Sequence, residues 1–212
     1  MKLLLTSSGI SKRSVAAALV ELVGKSPGET KVGFVPTAAN IEGYNKDWLI
    51  NQFMNLWRYG YNWIDIVDPT AAGVDWKARL QAVDVICVSG GNTFHLLDQC
   101  RKIGFDTWLT ENLHDKVYVG GSASSIIATP TIEVASLPPG DRNIPGLKDL
   151  KGFGWVNFEI EPHCDMNRFE AMEKYAATKT HPVYAIDDQT AIKVIDGKVE
   201  VISEGTWKVF NA

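Results

Sequence analysis

Short apolar runs that alternate with stretches of helical spacing constrain this chain more than any other feature of its sequence. Lys2-Leu3-Leu4-Leu5-Thr6 reads as a buried first strand, and the apolar stripe Val15, Ala18, Leu19 and Leu22 predicts a helix from Ser11 to Val23 that stops at Gly24. The same alternation recurs. Strand Thr30 to Val35 precedes a helix over Tyr44 to Tyr59, strand Tyr61 to Val67 a helix over Val74 to Ala82, and strand Val83 to Val88 a helix over Phe94 to Cys100. Strands joined through helices run parallel, because parallel pairing needs a crossover connection. The expected fold is therefore α/β, an open, mostly parallel, doubly wound sheet with helices on both faces. Beyond Thr131 the pattern weakens through the loop signal Leu137-Pro138-Pro139-Gly140-Asp141-Arg142. A strand over Trp155 to Ile160, a helix over Arg168 to Thr178 and a strand over Val183 to Ile186 follow. Ala191 to Ile195 and Val199 to Ile202 then form a C-terminal β-hairpin around the Asp196-Gly197 turn, and Trp207 to Phe210 adds an edge strand. With no repeat, linker or low-complexity segment, a single domain over residues 1–212 is expected, long enough to bury a substantial core.

Charge narrows the partners. A net charge of -4 and the lack of any basic run argue against nucleic-acid and anionic-membrane surfaces, whose contacts depend on clustered lysine and arginine. Met1 to Thr6 is too short in its apolar part for a signal peptide, and no apolar run approaches a membrane span. Cys87, Cys100 and Cys164 are odd in number and lack paired or metal-type spacing, which points to a reducing cytoplasm. His163, Cys164 and Asp165 also lack ligand spacing, so no metal and no cofactor is expected. The aromatic-rich stretch Tyr44 to Trp63 can form core, a pocket wall or a dimer surface, and its helical spacing favours the core.

The chemistry centres on Tyr118-Val119-Gly120-Gly121-Ser122-Ala123-Ser124-Ser125, a strand that passes through two glycines into small residues and a helix. A serine at such a turn sits on a strained backbone, with its hydroxyl clear of the sheet and the next N–H aimed at what the hydroxyl attacks. Ser122 is thus the candidate nucleophile, and a small-residue turn without chemistry is the competing reading. Of the four histidines, His95 and His114 fall on predicted helices and His181 in a turn, whereas His163 follows a strand, where an open sheet would present it near Ser122. The pair Asp187-Asp188 follows another strand, and a carboxylate there would orient the imidazole, against the plainer reading of solvated turn residues. The order Ser, His, Asp differs from that of the α/β-hydrolases. Ala123 N–H and Gly91 N–H, the latter in Ser89-Gly90-Gly91-Asn92-Thr93, are candidate oxyanion donors, and the glycine loop can equally be a tight turn and helix cap. A thiol at Cys164 is a weaker alternative.

With these residues assembled, the chain resembles the dipeptidase E (aspartyl dipeptidase) family of serine peptidases, which shares the class I glutamine amidotransferase-like fold. The resemblance rests on Gly90-Gly91-Asn92-Thr93-Phe94-His95-Leu96-Leu97, the serine elbow with Pro130-Thr131-Ile132 downstream, Pro162-His163, and the segment Ala185 to Ile192. It implies Ser122 as nucleophile, His163 as base, Gly91 and Ala123 as oxyanion donors, and Asp188 in the place of the acidic third member. It further implies a short peptide as the substrate, with Asn92 and Glu133 as substrate-binding candidates, in a monomer or homodimer. Two departures stand out. The family's elbow reads Ser-Ala-Gly where this chain has Ser122-Ala123-Ser124, and its aspartyl-specific members carry an arginine where this chain has Glu133. A carboxylate at that position would repel an aspartyl side chain, which brings an Asp-Xaa preference into question while leaving hydrolysis untouched. Glu133 would instead hold a substrate amino terminus or basic side chain, or be a solvated loop residue. The departures also keep open a non-catalytic binding protein on the same scaffold.

Overall fold

The computed structural model describes all 212 residues. In chain order it holds β1 (Lys2–Thr6), α1 (Arg13–Val23), β2 (Lys31–Val35), α2 (Asp47–Arg58), β3 (Trp63–Ile66), α3 (Trp76–Gln81) and β4 (Val85–Val88). Then come α4 (Thr93–Ile103), α5 (Phe105–Asn112), β5 (Val117–Gly121), α6 (Ala123–Ile126), β6 (Glu159–Glu161), α7 (Phe169–Ala176), β7 (Val183–Ile186), β8 (Thr190–Ile195), β9 (Lys198–Ser203) and β10 (Trp207–Phe210). The fold is α/β. A seven-stranded sheet runs in the order β3-β2-β4-β5-β1-β8-β9, parallel from β3 to β1 and antiparallel where the β8–β9 hairpin closes one edge.

The alternation of side chains along a strand explains why the central strands are apolar throughout. In β1, Leu3 and Leu5 join a 36-residue core on one face, while Leu4 joins a 16-residue core on the other. The three remaining strands, β10-β7-β6, form a separate small sheet whose Ile160, Val183, Ala185 and Phe210 belong to the larger core. Its strand ends are thereby brought up to those of the main sheet.

Three sequence expectations change. The strand expected over Trp155 to Ile160 starts only at Glu159, because Phe153 N–H and Trp155 N–H bond to Ile127 O and Ala128 O at 2.7 and 3.0 Å, beyond α6, rather than to a sheet. The helix expected from Arg168 begins as a 3-10 turn over Met166–Arg168, capped by Asp165, which accepts from Asn167 N–H at 2.9 Å. The aromatics of α2 are not all core. Leu49, Phe53 and Leu56 suffice to cover the smaller cluster, leaving Trp48 and Trp57 37% and 53% exposed. No helix is long and apolar enough to cross a membrane.

At the end of β1, Thr6 Oγ1 donates to Gly120 O and accepts from Gly9 N–H, both at 2.7 Å and buried. Thr6→Val keeps the shape and removes both bonds, and is expected to cost about 1–3 kcal/mol in denaturant unfolding. An unchanged midpoint would show that neither bond matters to the fold.

Candidate active site

Ser122 stands between β5 and α6 with φ 52° and ψ -112°, a conformation that L-residues avoid. The surroundings hold it there. Ser122 N–H donates to Thr6 O at 3.0 Å, and the first turn of α6 returns Ser125 N–H to Ser122 O at 2.8 Å. Gly120 must lack a side chain, since a Cβ there would lie 2.9 Å from the backbone of Ser124. Ser124, which replaces the expected glycine, does not clash. Its buried Oγ donates to Val88 O and accepts from Gly121 N–H, both at 2.6 Å, while Tyr118 Oη donates to Ser124 O at 2.8 Å. The hydroxyl thus ties the elbow to β4.

His163 lies in the turn that leaves β6, with a φ of 55°, and its N–H donates to Ser7 Oγ at 2.8 Å. Its Nε2 lies 2.9 Å from Ser122 Oγ and its Nδ1 2.5 Å from Asp188 Oδ1. With a carboxylate accepting at Nδ1–H, Nε2 carries the lone pair and faces the serine hydroxyl. Asp188 is held well below the usual carboxylate range, first by its hydrogen bond with His163, with help from the His163 charge and the hydroxyls of Ser8 and Ser7. Asp187, by contrast, is committed to its own turn, accepting from Gln189 N–H, Thr190 Oγ1 and Thr206 N–H.

Sequence reasoning missed Ser7, buried just after β1, which donates to Asp188 Oδ1 at 2.7 Å while accepting from His163 N–H. It also missed Gln52 on α2, whose Oε1 accepts from Gly90 N–H at 3.2 Å. Neither residue sits in a motif, and only the packing brings them in. The Ser89-Gly90-Gly91 loop runs beside the elbow, where a Cβ on Gly90 would come within 3.2 Å of Ser122 Cβ. Gly91 has φ 137° and presses on the Ala38 carbonyl, so no side chain fits. Gly91 N–H and Ala123 N–H donate to no group of the protein, which leaves two amides free on either side of Ser122.

Two cavities meet at Ser122 and His163. One is an open cleft of about 720 Å³ walled by Trp48, Asn51, Gln52, Asn55, Glu42 and Asp141 among others, with no lysine or arginine. The other is a smaller pocket of about 270 Å³ that reaches past Ile126 and Val134 to Glu161 and Arg168. The two residues expected to bind substrate lie elsewhere or are occupied. Asn92 is 2% exposed and caps α4, its Oδ1 accepting from His95 N–H at 2.9 Å and its Nδ2 donating to Arg142 O at 3.0 Å. Glu133 pairs with Lys179, outside both cavities. The thiol of Cys164 is buried, and burial pushes it up to about 12. His181 bonds to the buried Glu159 at 2.7 Å, and His114 to the Glu111 carbonyl at 3.3 Å just past α5. Burial lowers His95 from its ordinary range.

The family model of peptidase family S51 matches residues 3–202. An uncharacterized peptidase of Pasteurella multocida is 30% identical over 168 residues, which span 77% of this chain and 80% of that one. Peptidase E of Escherichia coli is 33% identical over 102 residues, 46% of this chain and 38% of that one. A crystal structure of a candidate peptidase E from Listeria monocytogenes superposes with a TM-score of 0.80 at 24% identity over 96% of this chain and 98% of the other, a likeness of fold.

Ser124→Gly would place at the elbow the glycine that the family resemblance leads one to expect but strand Gly121 N–H and Val88 O. It is expected to lower stability by about 1–3 kcal/mol in denaturant unfolding. A variant as stable as the parent would show that the hydroxyl is only accommodated.

Proposed function

The chain belongs to peptidase family S51 and is a peptidase, and from that premise we propose that it is a serine-type exopeptidase of dipeptides and short peptides, working through an acyl-enzyme on Ser122. The observation that carries this reading is the 2.9 Å separation between His163 Nε2 and Ser122 Oγ on a strained elbow. In the reaction, Ser122 Oγ attacks the peptide carbonyl while its proton passes to His163 Nε2, and Asp188 stabilises the imidazolium that forms. The negative oxygen of the tetrahedral intermediate accepts from Gly91 N–H and Ala123 N–H, amides that nothing in the protein uses. The carbon–nitrogen bond then breaks, with His163 returning its proton to the departing amine. Water, deprotonated by His163, attacks the ester, and the acid leaves as Ser122 regains its proton. Glu42 and Asp141, in a cleft without lysine or arginine, favour a free ammonium group of a short peptide over a carboxylate.

Ser122→Ala is expected to lower dipeptide turnover by at least about 10³-fold with the fold intact, and to abolish labelling by a fluorophosphonate. Undiminished hydrolysis in that variant would sink the mechanism. Because Asp188 stays ionised far into acid, Asp188→Asn is expected to cost about 10³- to 10⁴-fold in kcat at every pH from about 5 to 9. A loss confined to one end of that range would assign the carboxylate a different role. Gly91→Ala, which drives a methyl into the Ala38 carbonyl and displaces its amide, is expected to lower kcat by about 10²- to 10³-fold. Full activity in that variant would remove Gly91 from the oxyanion site.

A further inference from the structure

The smaller pocket holds a charge arrangement that the mechanism above does not use. Its wall beside Ser122 is apolar, formed by Ile126, Val134, Leu137 and Pro139, and its far end carries Arg168 and Glu161. Arg168 Nη2 lies 2.5 Å from Glu161 Oε1, and the guanidinium bonds to no other group of the protein, which leaves most of its N–H donors without a protein partner on a residue that lines the pocket. Glu161 is 5% exposed. Thr93 also lines the pocket, is 0% exposed, and its Oγ1 has no hydrogen-bond partner in the protein. A buried hydroxyl without a partner costs free energy. Asp141 lines the same space, its Oδ2 accepting from Thr93 N–H at 2.7 Å.

We propose that this pocket receives the side chain of the residue whose carbonyl Ser122 attacks, and that Glu161 masks Arg168 so that an uncharged amide or hydroxyl side chain is preferred over a carboxylate. The assignment rests on Ser122 as the nucleophile. The volume of about 270 Å³ suits a single side chain, whereas the larger cleft has room for the remainder of the peptide. An amide side chain satisfies the polar end completely. Its oxygen accepts from Arg168, and its NH₂ donates to Glu161. A carboxylate side chain meets one guanidinium but two carboxylates, Glu161 and Asp141.

The mask depends on pH. Burial, the largest influence, pushes Glu161 up to about 7 against the opposing pull of the Arg168 and His163 charges, and Asp141 pushes the same way as burial. The other ionisable groups that sense Glu161 are Cys164 and Tyr175, both raised mainly by burial. Above about pH 7 Glu161 is charged and occupies Arg168; below it the carboxyl is neutral, the repulsion is gone and Arg168 is available to an acidic side chain.

The test compares kcat/KM for Asn-Leu and Asp-Leu in the parent, Glu161→Gln and Arg168→Met at about pH 6 and about pH 8.5. Both substrates use the same serine, histidine and aspartate, so their ratio cancels the titration of the catalytic groups. The parent is expected to favour Asn-Leu by about tenfold or more at the higher pH and to lose about tenfold of that preference at the lower. Glu161→Gln is expected to favour Asp-Leu at both, and Arg168→Met to reject Asp-Leu at both. A parent ratio near one at the higher pH that Glu161→Gln leaves unmoved would overturn the proposal. Calorimetric titration with free aspartate and free asparagine reads the same mask without turnover. Aspartate is expected to bind Glu161→Gln about tenfold or more tightly than the parent at the higher pH, and equal affinity would overturn the proposal. Residual hydrolysis in Ser122→Ala would fault the nucleophile while leaving this binding comparison readable.

Discussion

The parallel pairing of β1 with β5 sets Thr6 opposite Gly121, and the site is built outward from that register. Thr6 O receives Ser122 N–H and Ser125 Oγ, while Thr6 Oγ1 bonds to Gly120 O, so the strained elbow is fastened on its β1 side by a single residue. Holding a non-glycine residue at positive φ costs on the order of 1–3 kcal/mol, and such a conformation persists only where its surroundings over-determine it. Here they do, through Thr6 on one flank and the Ser124 link to β4 on the other. One residue beyond Thr6, Ser7 reaches both the Asp188 carboxylate and the His163 backbone. The same strand therefore positions the hydroxyl and the pair of groups that faces it.

His163 owes its place to the small sheet, and that sheet is held by buried carboxylates rather than by length. Glu159 and Glu161 sit two residues apart on β6 and so point to one side, where α7 and its approaches meet them. Glu161 takes Arg168 before α7, and Glu159 takes Tyr175 Oη at 2.6 Å within it and His181 beyond it. Removing one partner of a buried pair typically costs about 3–5 kcal/mol, because the other charge is left without compensation. With the Cys164 N–H bond to Ile186 O, these contacts fix the turn that carries His163.

Much of this was legible in the sequence because the chemistry sits at strand ends. Apolar runs followed by glycine or small residues located the loops of Gly91 and Ser122, and the position of His163 after a strand separated it from the other histidines. What the sequence hid was contact across distance. Ser7 and Gln52 occur in unremarkable segments, and they join the site only because β1 ends beside it and one face of α2 lines it. The pattern Glu159-Ile160-Glu161 looks like a strand with two solvated charges, yet both carboxylates are buried, which no periodicity reports. Motif position points Asn92 and Glu133 toward substrate, and it says nothing of the helix cap that the first makes or the lysine that the second pairs with. The exposed aromatics of α2 belong to the same category, since helical spacing identifies a stripe without saying how much of it the core requires.

Two carboxylates near one serine are driven in opposite directions, and the contrast separates the halves of the site. Asp188 lies in the open cleft among donors, where hydrogen bonds favour its charge. Glu161 lies in the smaller pocket but is itself buried, so that burial opposes its charge and one guanidinium only partly restores it. A fixed charge suits a group that orients an imidazole, because any proton it took up would release the ring. A group poised near neutrality suits the recognition of a side chain, since a small change in what enters the pocket decides whether it carries a proton. The larger cleft thus holds a carboxylate whose charge is fixed by its donors, and the smaller pocket one whose charge burial leaves free to change.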